Sequence, residues 1–177
     1  MKEYRCFSNP EEVDKWVENF YTNEELKELG EDKIFALLFY KGIGYNYMNN
    51  CVRHGITNPE DVVDIESLQE LLLSKRIKEA IEVCRFVDFN ELKILWRNTA
   101  GKRVYEYPAF LSTTLLRDYY SMDNIKRGRF PITIKIPEGV RGTYLPEINP
   151  YMPEYEILLS HHTKMRRISL FVFEVLL

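Results

Sequence analysis

The chain contains few cysteines and carries little net charge, and each absence excludes a class of protein. Its 177 residues include only Cys6, Cys51 and Cys84, which form neither a disulfide framework nor a zinc-binding pattern. We expect buried free thiols at these positions. The formal net charge is only -3, so apart from short basic clusters at 126–129 and 164–167 nothing favours nucleic acid as a partner.

Long apolar runs are missing as well. No stretch approaches the ~20 apolar residues that cross a bilayer, and the first five residues lead into no apolar segment typical of secretory signal peptides. We therefore expect a soluble chain that acts in the cytoplasm of its producer or is delivered into a target cell by another route. Two glycine motifs are also absent: the Gly-x-Gly-x-x-Gly of Rossmann dinucleotide sites and the Gly-x-Ser-x-Gly of serine hydrolases.

The composition fits one globular domain, which we assign to residues 1–177. Hydrophobic residues make up 45% of the chain and charged residues 29%, as in proteins with a substantial core. A helix-start signal, Asn-Pro followed by two acidic residues, occurs at 9–12 and again at 58–61. Apolar spacing predicts helices over 10–21, 34–41, 45–53 and 68–77, the second of them ended by Gly42 and Gly44. Residues 1–80 are therefore predicted to be mainly helical.

From residue 81 onwards the pattern changes to short runs rich in β-branched and aromatic residues. These runs predict strands over 83–87, 105–113, 132–136, 156–159 and 168–177. Turn signals separate them, including Ala100-Gly101 and Asn149-Pro150. A helical part followed by a strand-rich part, 81–177, argues for an α+β fold.

Glu154 and Glu156 are two carboxylates one residue apart at the start of an apolar run. If the segment is extended, both side chains lie on one face while Tyr155 points the other way. Like charges held so close need a cation, a shared proton or a reacting electrophile to compensate them. The alternative is a solvated charged edge, since Glu-x-Glu strings are common on protein surfaces.

Arg85 and the hydroxyl run 112–114 also occur within or beside apolar segments. A buried guanidinium must be paired, and its partner is either a structural carboxylate or a ligand phosphate. The hydroxyls of Ser112 and Thr113 either hold a carboxylate in one rotamer or satisfy a turn. No metal is expected, because adjacent His161 and His162 would point to opposite faces of a strand.

In chain order, Arg85, residues 110–114 and residues 154–156 resemble the Arg, Ser-Thr-Ser and Glu-x-Glu motifs of mono-ADP-ribosyltransferases. The most similar branch is the bacterial exoenzyme group typified by the actin-modifying clostridial binary toxins. Residues 132–144 resemble the strand and turn before that family's target-recognition loop, and residues 45–53 resemble its helical Tyr…Asn…Arg segment. The sequence departs from the family at Thr114, where Ser is usual, and at Phe86, where several relatives carry a small residue or a second Arg.

The resemblance implies a fold and an activity. It implies a mainly helical N-terminal part packed on a two-sheet mixed β core. The activity would be transfer of ADP-ribose from NAD, as a consumed co-substrate, to an arginine of a target protein with release of nicotinamide and without a metal. The alternatives are an NAD glycohydrolase and a catalytically silent binding module, and a separate delivery or immunity partner would leave no trace in the sequence.

The resemblance also implies roles for individual residues. Glu156 would stabilise the reacting ribose and Ser112 would orient it. Glu154 and Tyr151 would receive the acceptor side chain. Within the loop 115–130, Arg127 or Arg129 would make the second phosphate contact. The residues expected to bind NAD are Arg85, Ser112, Thr113, Glu156, Arg129, Asn49 and Arg53.

Overall fold

The structure is a computed structural model that describes residues 3–20, 30–55, 59–117, 121–145 and 154–177. Six α-helices occur in these ranges: α1 (Pro10–Phe20), α2 (Glu31–Phe39), α3 (Tyr45–His54), α4 (Pro59–Ser74), α5 (Phe89–Asn98) and α6 (Ser121–Lys126). A π-helical turn, Tyr40–Gly44, joins α2 directly to α3, and a short 3-10 turn spans Ala100–Lys102. None of the described helices is long and apolar enough to cross a membrane.

Eight described strands form one mixed sheet. They are β1 (Ile81–Val87), β2 (Val104–Glu106), β3 (Leu111–Thr114), β4 (Phe130–Ile136), β5 (Gly142–Tyr144), β6 (Glu156–Leu159), β7 (Lys164–Ser169) and β8 (Val172–Val175). Their order is β2-β7-β8-β4-β1-β3-β6-β5, and β4 and β8 are parallel while the other neighbours are antiparallel. The predicted α+β class is confirmed.

The joint between β1 and β3 divides this sheet into two halves. Only one residue pair, Cys84 with Thr114, connects the two strands, whereas β1 and β4 pair along their whole length. The two sheets implied by the resemblance are thus hydrogen-bonded into one sheet with a narrow connection. Arg85 lies on one side of this connection and Ser112 on the other.

Two apolar clusters hold the layers together. The larger one packs α1 and α5 against the sheet, with Trp16, Leu92 and Phe173 among its members. The smaller one packs α2, α3 and α4 against Phe110, Leu145 and Leu158. The pairing of β3 with β6 places Ser112, Thr114 and Glu156 on the same sheet face as Leu158. Helices α2, α3 and α4 therefore cover the face that bears Ser112, Thr114 and Glu156.

The predicted helix end at Gly42 and Gly44 is wrong. The helical path continues through the π turn into α3, because buried residues on both sides belong to one apolar cluster, which outweighs the weak helix propensity of glycine. Gly44 leaves room for a neighbouring aromatic ring. A Cβ at this position would lie 2.5 Å from the Phe39 ring.

Other boundaries also differ from the sequence-based expectation. The predicted strand over 105–113 is two strands, β2 and β3, and the one over 168–177 is divided by the turn between β7 and β8. Ile77 follows the end of α4 instead of lying in it. Helix α5 and strand β5 were not predicted, and the expected end of the first helix at Tyr21 lies outside the described residues.

Candidate active site

A cleft of about 580 Å³ opens between the helices and the central strands, a size typical of small-molecule sites. Its walls come from the π turn and α3 on one side and from β1, β3 and the start of β6 on the other. The cleft brings together the predicted residues that the structure describes: Arg85, Ser112, Thr113, Glu154, Glu156, Arg129, Asn49 and Arg53. Tyr151, predicted to recognise the target, lies outside the described residues.

Glu154 and Glu156 are not two residues of one extended strand. Strand β6 begins at Glu156, and Tyr155 has a φ of +46°, a left-handed conformation that is strained for a bulky residue. Two contacts compensate this strain: the Tyr155 side chain is buried in the larger apolar cluster, and its carbonyl accepts a hydrogen bond from the Leu115 amide at 2.9 Å. The expectation of an extended segment was therefore wrong, although both carboxylates line the cleft.

The two carboxylates have different environments. Glu156 is 7% exposed and its backbone carbonyl accepts from the Leu145 amide at 2.9 Å. Glu154 is exposed, and its backbone carbonyl accepts from Thr114 Oγ1 at 3.0 Å. One charge thus lies within the cleft, while the other lies at its edge.

The hydroxyl side chains of residues 112–114 on β3 lie on both faces of the sheet. Ser112 and Thr114 lie on the cleft face together with Glu156. Thr113 points to the other face, and its Oγ1 donates to the Ile157 carbonyl at 3.0 Å in the adjacent strand. The Thr113 hydroxyl therefore connects β3 to β6, and neither of the two roles expected for it, holding a carboxylate or satisfying a turn, is found.

Arg85 is paired with a carboxylate of the protein itself. Its Nε lies 3.0 Å from Oε1 of Glu91 on α5, and the Arg85 side chain is 18% exposed. Burial alone would lower the pKa of Arg85, but the oxygens of Tyr107 and Glu91 raise it above its ordinary value, so the guanidinium stays charged. Of the two partners considered, the structural carboxylate is the one found. Glu91 also lines the cleft.

Asn49 connects α3 to the segment before β3. Its Nδ2 donates to Tyr40 Oη at 3.2 Å, and its Oδ1 accepts from the Phe110 amide at 3.0 Å. Burial raises the pKa of the Tyr40 hydroxyl above its ordinary value, and the nearby Glu156 carboxylate raises it further. Tyr40 therefore keeps its proton at neutral pH. It is a cleft residue that the sequence analysis missed, because helical spacing alone gave no reason to distinguish it from the core.

Two exposed arginines lie at the edges of the cleft. Arg53 extends from the end of α3 and donates from Nη2 to Tyr107 Oη at 3.4 Å. Arg129 precedes β4, where its backbone amide donates to the Asn124 carbonyl at 3.0 Å. Cations at the rim are well placed to meet an anionic ligand.

The two adjacent histidines lie apart from the cleft. His162 Nδ1 is 2.7 Å from Glu106 Oε1, whereas His161 Nδ1 is buried and has no hydrogen-bond partner among the described residues. Within those residues, no three His, Cys, Asp or Glu side chains are grouped to hold a metal ion.

Comparison with known proteins shows which family and which solved structures this chain resembles. A sequence model of the ADP-ribosyltransferase exoenzyme family matches residues 12–170. BECa, the ADP-ribosylating toxin of a binary enterotoxin of C. perfringens, was solved with NADH; it has a TM-score of 0.75 and 20% identity over 98% of this chain and 49% of that one. The Paenibacillus larvae toxin Plx2a, an ADP-ribosyltransferase, has a TM-score of 0.73 and 20% identity over 100% of both chains. C3stau2 from S. aureus, solved with NAD, has a TM-score of 0.71 and 14% identity over 98% and 96%.

The solved structures establish the fold, and the sequence model establishes the family. At 20% identity or below, the solved structures establish the shared fold, and this chain spans about half the length of BECa. No curated protein matches the sequence at a significant level. The family model, however, extends from α1 to the turn between β7 and β8 and so covers most of the chain. The chain therefore belongs to the ADP-ribosyltransferase exoenzyme family.

Proposed function

We propose that this chain transfers ADP-ribose from NAD to an arginine side chain of a target protein and releases nicotinamide. Membership of the family supports NAD-dependent ADP-ribosyl transfer. The observation that carries the arginine proposal is the pair of unlike carboxylates at one cleft, with Glu156 buried and Glu154 exposed. A buried carboxylate can stabilise the charge that develops when the bond between nicotinamide and ribose breaks. An exposed carboxylate can bind an acceptor side chain that arrives from solvent.

Glu156 acts on the donor in this proposal. The bond between ribose C1′ and the nicotinamide nitrogen breaks, nicotinamide leaves with the bonding electrons, and positive charge develops on the ribose as in glycoside hydrolysis. A fixed carboxylate beside that ribose stabilises the transition state more than the ground state. Because Glu156 is only 7% exposed, little water screens its charge. Ser112 lies on the same face and would hold the carboxylate in its working orientation.

Glu154 acts on the acceptor. A carboxylate can bind a guanidinium through two parallel hydrogen bonds, which would bring the arginine to the edge of the cleft. One guanidinium nitrogen then forms the new bond to ribose C1′ and loses a proton, which the Glu154 carboxylate accepts. Tyr151, three residues earlier, would pack on the incoming guanidinium through its ring face.

The exposure of Glu154 also favours a second candidate, NAD glycohydrolysis. Water reaches an exposed carboxylate without any partner protein, and attack of water on ribose C1′ would release ADP-ribose instead of transferring it. A third candidate, a binding module without catalysis, is disfavoured because Arg85, Ser112 and Glu156 line one cleft.

We further propose that residues 1–177 act as one catalytic domain. Phe7 and Val13, near the first described residues, share the larger apolar cluster with Phe173 and Val175 near the last ones. The two ends of the chain thus contribute to one core. A separate delivery or immunity protein would be a further partner of this domain.

Incubation with NAD labelled in its adenylate part and a host-cell extract tests the proposal. We expect label on protein, mapped by mass spectrometry to arginine, together with nicotinamide release. Label on another side chain would overturn the arginine assignment. Nicotinamide release that is unchanged by protein acceptors, with no labelled protein, would establish hydrolysis, and a folded chain that binds no NAD in calorimetry would establish the silent module.

A further inference from the structure

The Arg85 guanidinium is nearly saturated by hydrogen bonds within the protein. Nε and Nη2 donate to the two carboxylate oxygens of Glu91 at 3.0 and 3.4 Å. Nη2 also donates to Tyr107 Oη at 3.0 Å, and Nη1 donates to the Ser112 carbonyl at 2.7 Å. A guanidinium has five N–H groups, so four are engaged before any ligand arrives.

Tyr107 is the second centre of this network. Its hydroxyl donates to Glu91 Oε1 at 2.8 Å and accepts from Nη2 of Arg85 at 3.0 Å and Nη2 of Arg53 at 3.4 Å. One donor and two acceptor sites are all that a phenol offers. Burial raises the pKa of Tyr107 above its ordinary value, and Glu91 adds to this although the two arginines oppose it, so the hydroxyl keeps its proton. A residue that is 4% exposed and fully hydrogen-bonded has one defined orientation.

The network lies beside the weakest connection in the sheet. Strands β1 and β3 share one residue pair, Cys84 with Thr114, so the bond from Arg85 to the Ser112 carbonyl is a second connection across the joint. Strand β3 in turn pairs with β6 at four positions, one of which is Thr114 with Glu156. The place of Glu156 relative to β1 therefore depends on the place of Arg85.

We propose that Glu91 and Tyr107 are positioning residues that hold the Arg85 guanidinium against the Ser112 carbonyl and so fix the width of the cleft across the joint. This inference rests on the proposed NAD chemistry and deepens it. Arg85 keeps one N–H for a ligand, too few for a bidentate grip on a diphosphate. The exposed guanidiniums of Arg53 and Arg129 then supply most of the charge for the phosphates.

Steady-state nicotinamide release from NAD separates positioning from binding. Tyr107→Phe removes one oxygen and should lower kcat ~10-fold, the scale of a small misplacement of reacting groups, with the KM for NAD changed less than ~2-fold. Glu91→Gln should show the same pattern, and Glu91→Ala a larger loss of kcat. Arg129→Ala is the comparison for binding and should mainly raise the KM.

Tyr105→Phe is the matched control. The Tyr105 ring lies 6.3 Å from that of Tyr107, and its hydroxyl makes no hydrogen bond among the described residues, so loss of that oxygen should leave kcat and KM unchanged. Hydrogen–deuterium exchange of the chain without NAD provides a readout independent of activity. Tyr107→Phe should speed exchange of the β3 amides at 111–114 while the helix α4 amides keep their wild-type rates.

The outcomes are distinct for the two proposals. If Tyr107→Phe matches Tyr105→Phe in kcat or in β3 exchange, or if it raises the KM as Arg129→Ala does, the positioning role is overturned. If the wild-type chain releases no nicotinamide, the proposed function fails. In that case the positioning role is still tested by comparing the hydrogen–deuterium exchange rates of the β3 amides in Tyr107→Phe and Tyr105→Phe, which requires no activity.

Discussion

The buried carboxylate of Glu156 and the exposed carboxylate of Glu154 line the same cleft although they do not share a strand face. The left-handed turn at Tyr155 separates their directions, and strand β6 begins only at Glu156. Two carboxylates in different environments can carry two roles. The proposed donor and acceptor chemistry follows this separation, and the first two predictions test it.

Replacing Glu156 by Gln should lower nicotinamide release at least ~10²-fold, the scale for losing one preorganised electrostatic group. The amide keeps the shape of the side chain but not its charge, so the transition state loses its stabilisation. Release is measured by steady-state kinetics, and an unchanged urea midpoint shows that the fold is retained. Near-normal turnover in a folded variant would exclude the role assigned to Glu156.

Replacing Glu154 by Gln should reduce transfer to arginine ~10-fold or more while NAD hydrolysis changes less than ~2-fold. The change removes the acceptor of the guanidinium proton but leaves the carboxylate beside the ribose in place. Parallel assays with and without an arginine-rich protein measure the two rates. Equal losses in both rates would contradict an acceptor-side role.

Gly142→Ala should destabilise the fold by about 3 kcal/mol, the sum expected for an unfavourable backbone conformation and overpacking. Gly142 has a φ of +153°, and a Cβ there would lie 2.6 Å from the Leu158 carbonyl oxygen in β6. Gly101→Ala is the matched control, because Gly101 has a φ of +64° and no neighbouring atom within 4 Å of its Cβ position. Urea unfolding should show a clearly smaller loss for the control, and equal losses would contradict the steric argument.

The free energy of unfolding should fall as the pH drops from about 6.5 to about 4. Burial, and to a lesser extent His162, lowers the pKa of His161 from 6.5 to about 4. Between these two pH values His161 is protonated in the unfolded chain but not in the folded chain, so protonation favours unfolding. Because His161 is only partly buried, solvent screening keeps the effect below the full size of the shift, and the effect is absent above the window. Denaturant unfolding at several pH values measures it.

His161→Phe isolates this contribution from the carboxylates that titrate in the same range. The ring of His161 already lies edge-on to Phe110 at 5.2 Å, so an aromatic replacement suits the site. The variant should lose less stability than the wild type between pH 7 and pH 4. Parallel pH profiles for the two proteins would show that His161 is protonated equally in the folded and unfolded chains.

The sequence identified residues that line one cleft, but not the hydrogen bonds between them. The apolar strand residues around Arg85 predicted that it is buried, and a buried guanidinium needs a partner. The sequence could not identify that partner as Glu91, because Glu91 lies on α5, a helix that was not predicted. The role of Tyr107 could not be predicted from the sequence either, since a tyrosine beside a strand usually belongs to the core.

The backbone at Tyr155 shows another limit of sequence reasoning. Alternating faces follow from the period of an extended strand, and nothing in the residues 154–156 contradicts that geometry. The left-handed turn exists because the Tyr155 ring enters the larger core and its carbonyl meets the Leu115 amide. Both contacts come from parts of the chain that are distant in sequence, so only the folded structure reveals them.

The π turn at Tyr40–Gly44 acts as a one-residue insertion within a continuous helical path. A π turn holds about one more residue than an α-turn, and without that residue Leu37 and Asn49 would be eleven positions apart, roughly 20° around an α-helix. The extra residue is therefore absorbed locally, and both side chains stay buried. The inserted turn thus carries Lys41 and Gly42 into the cleft wall, while the helices before and after it keep one common buried side.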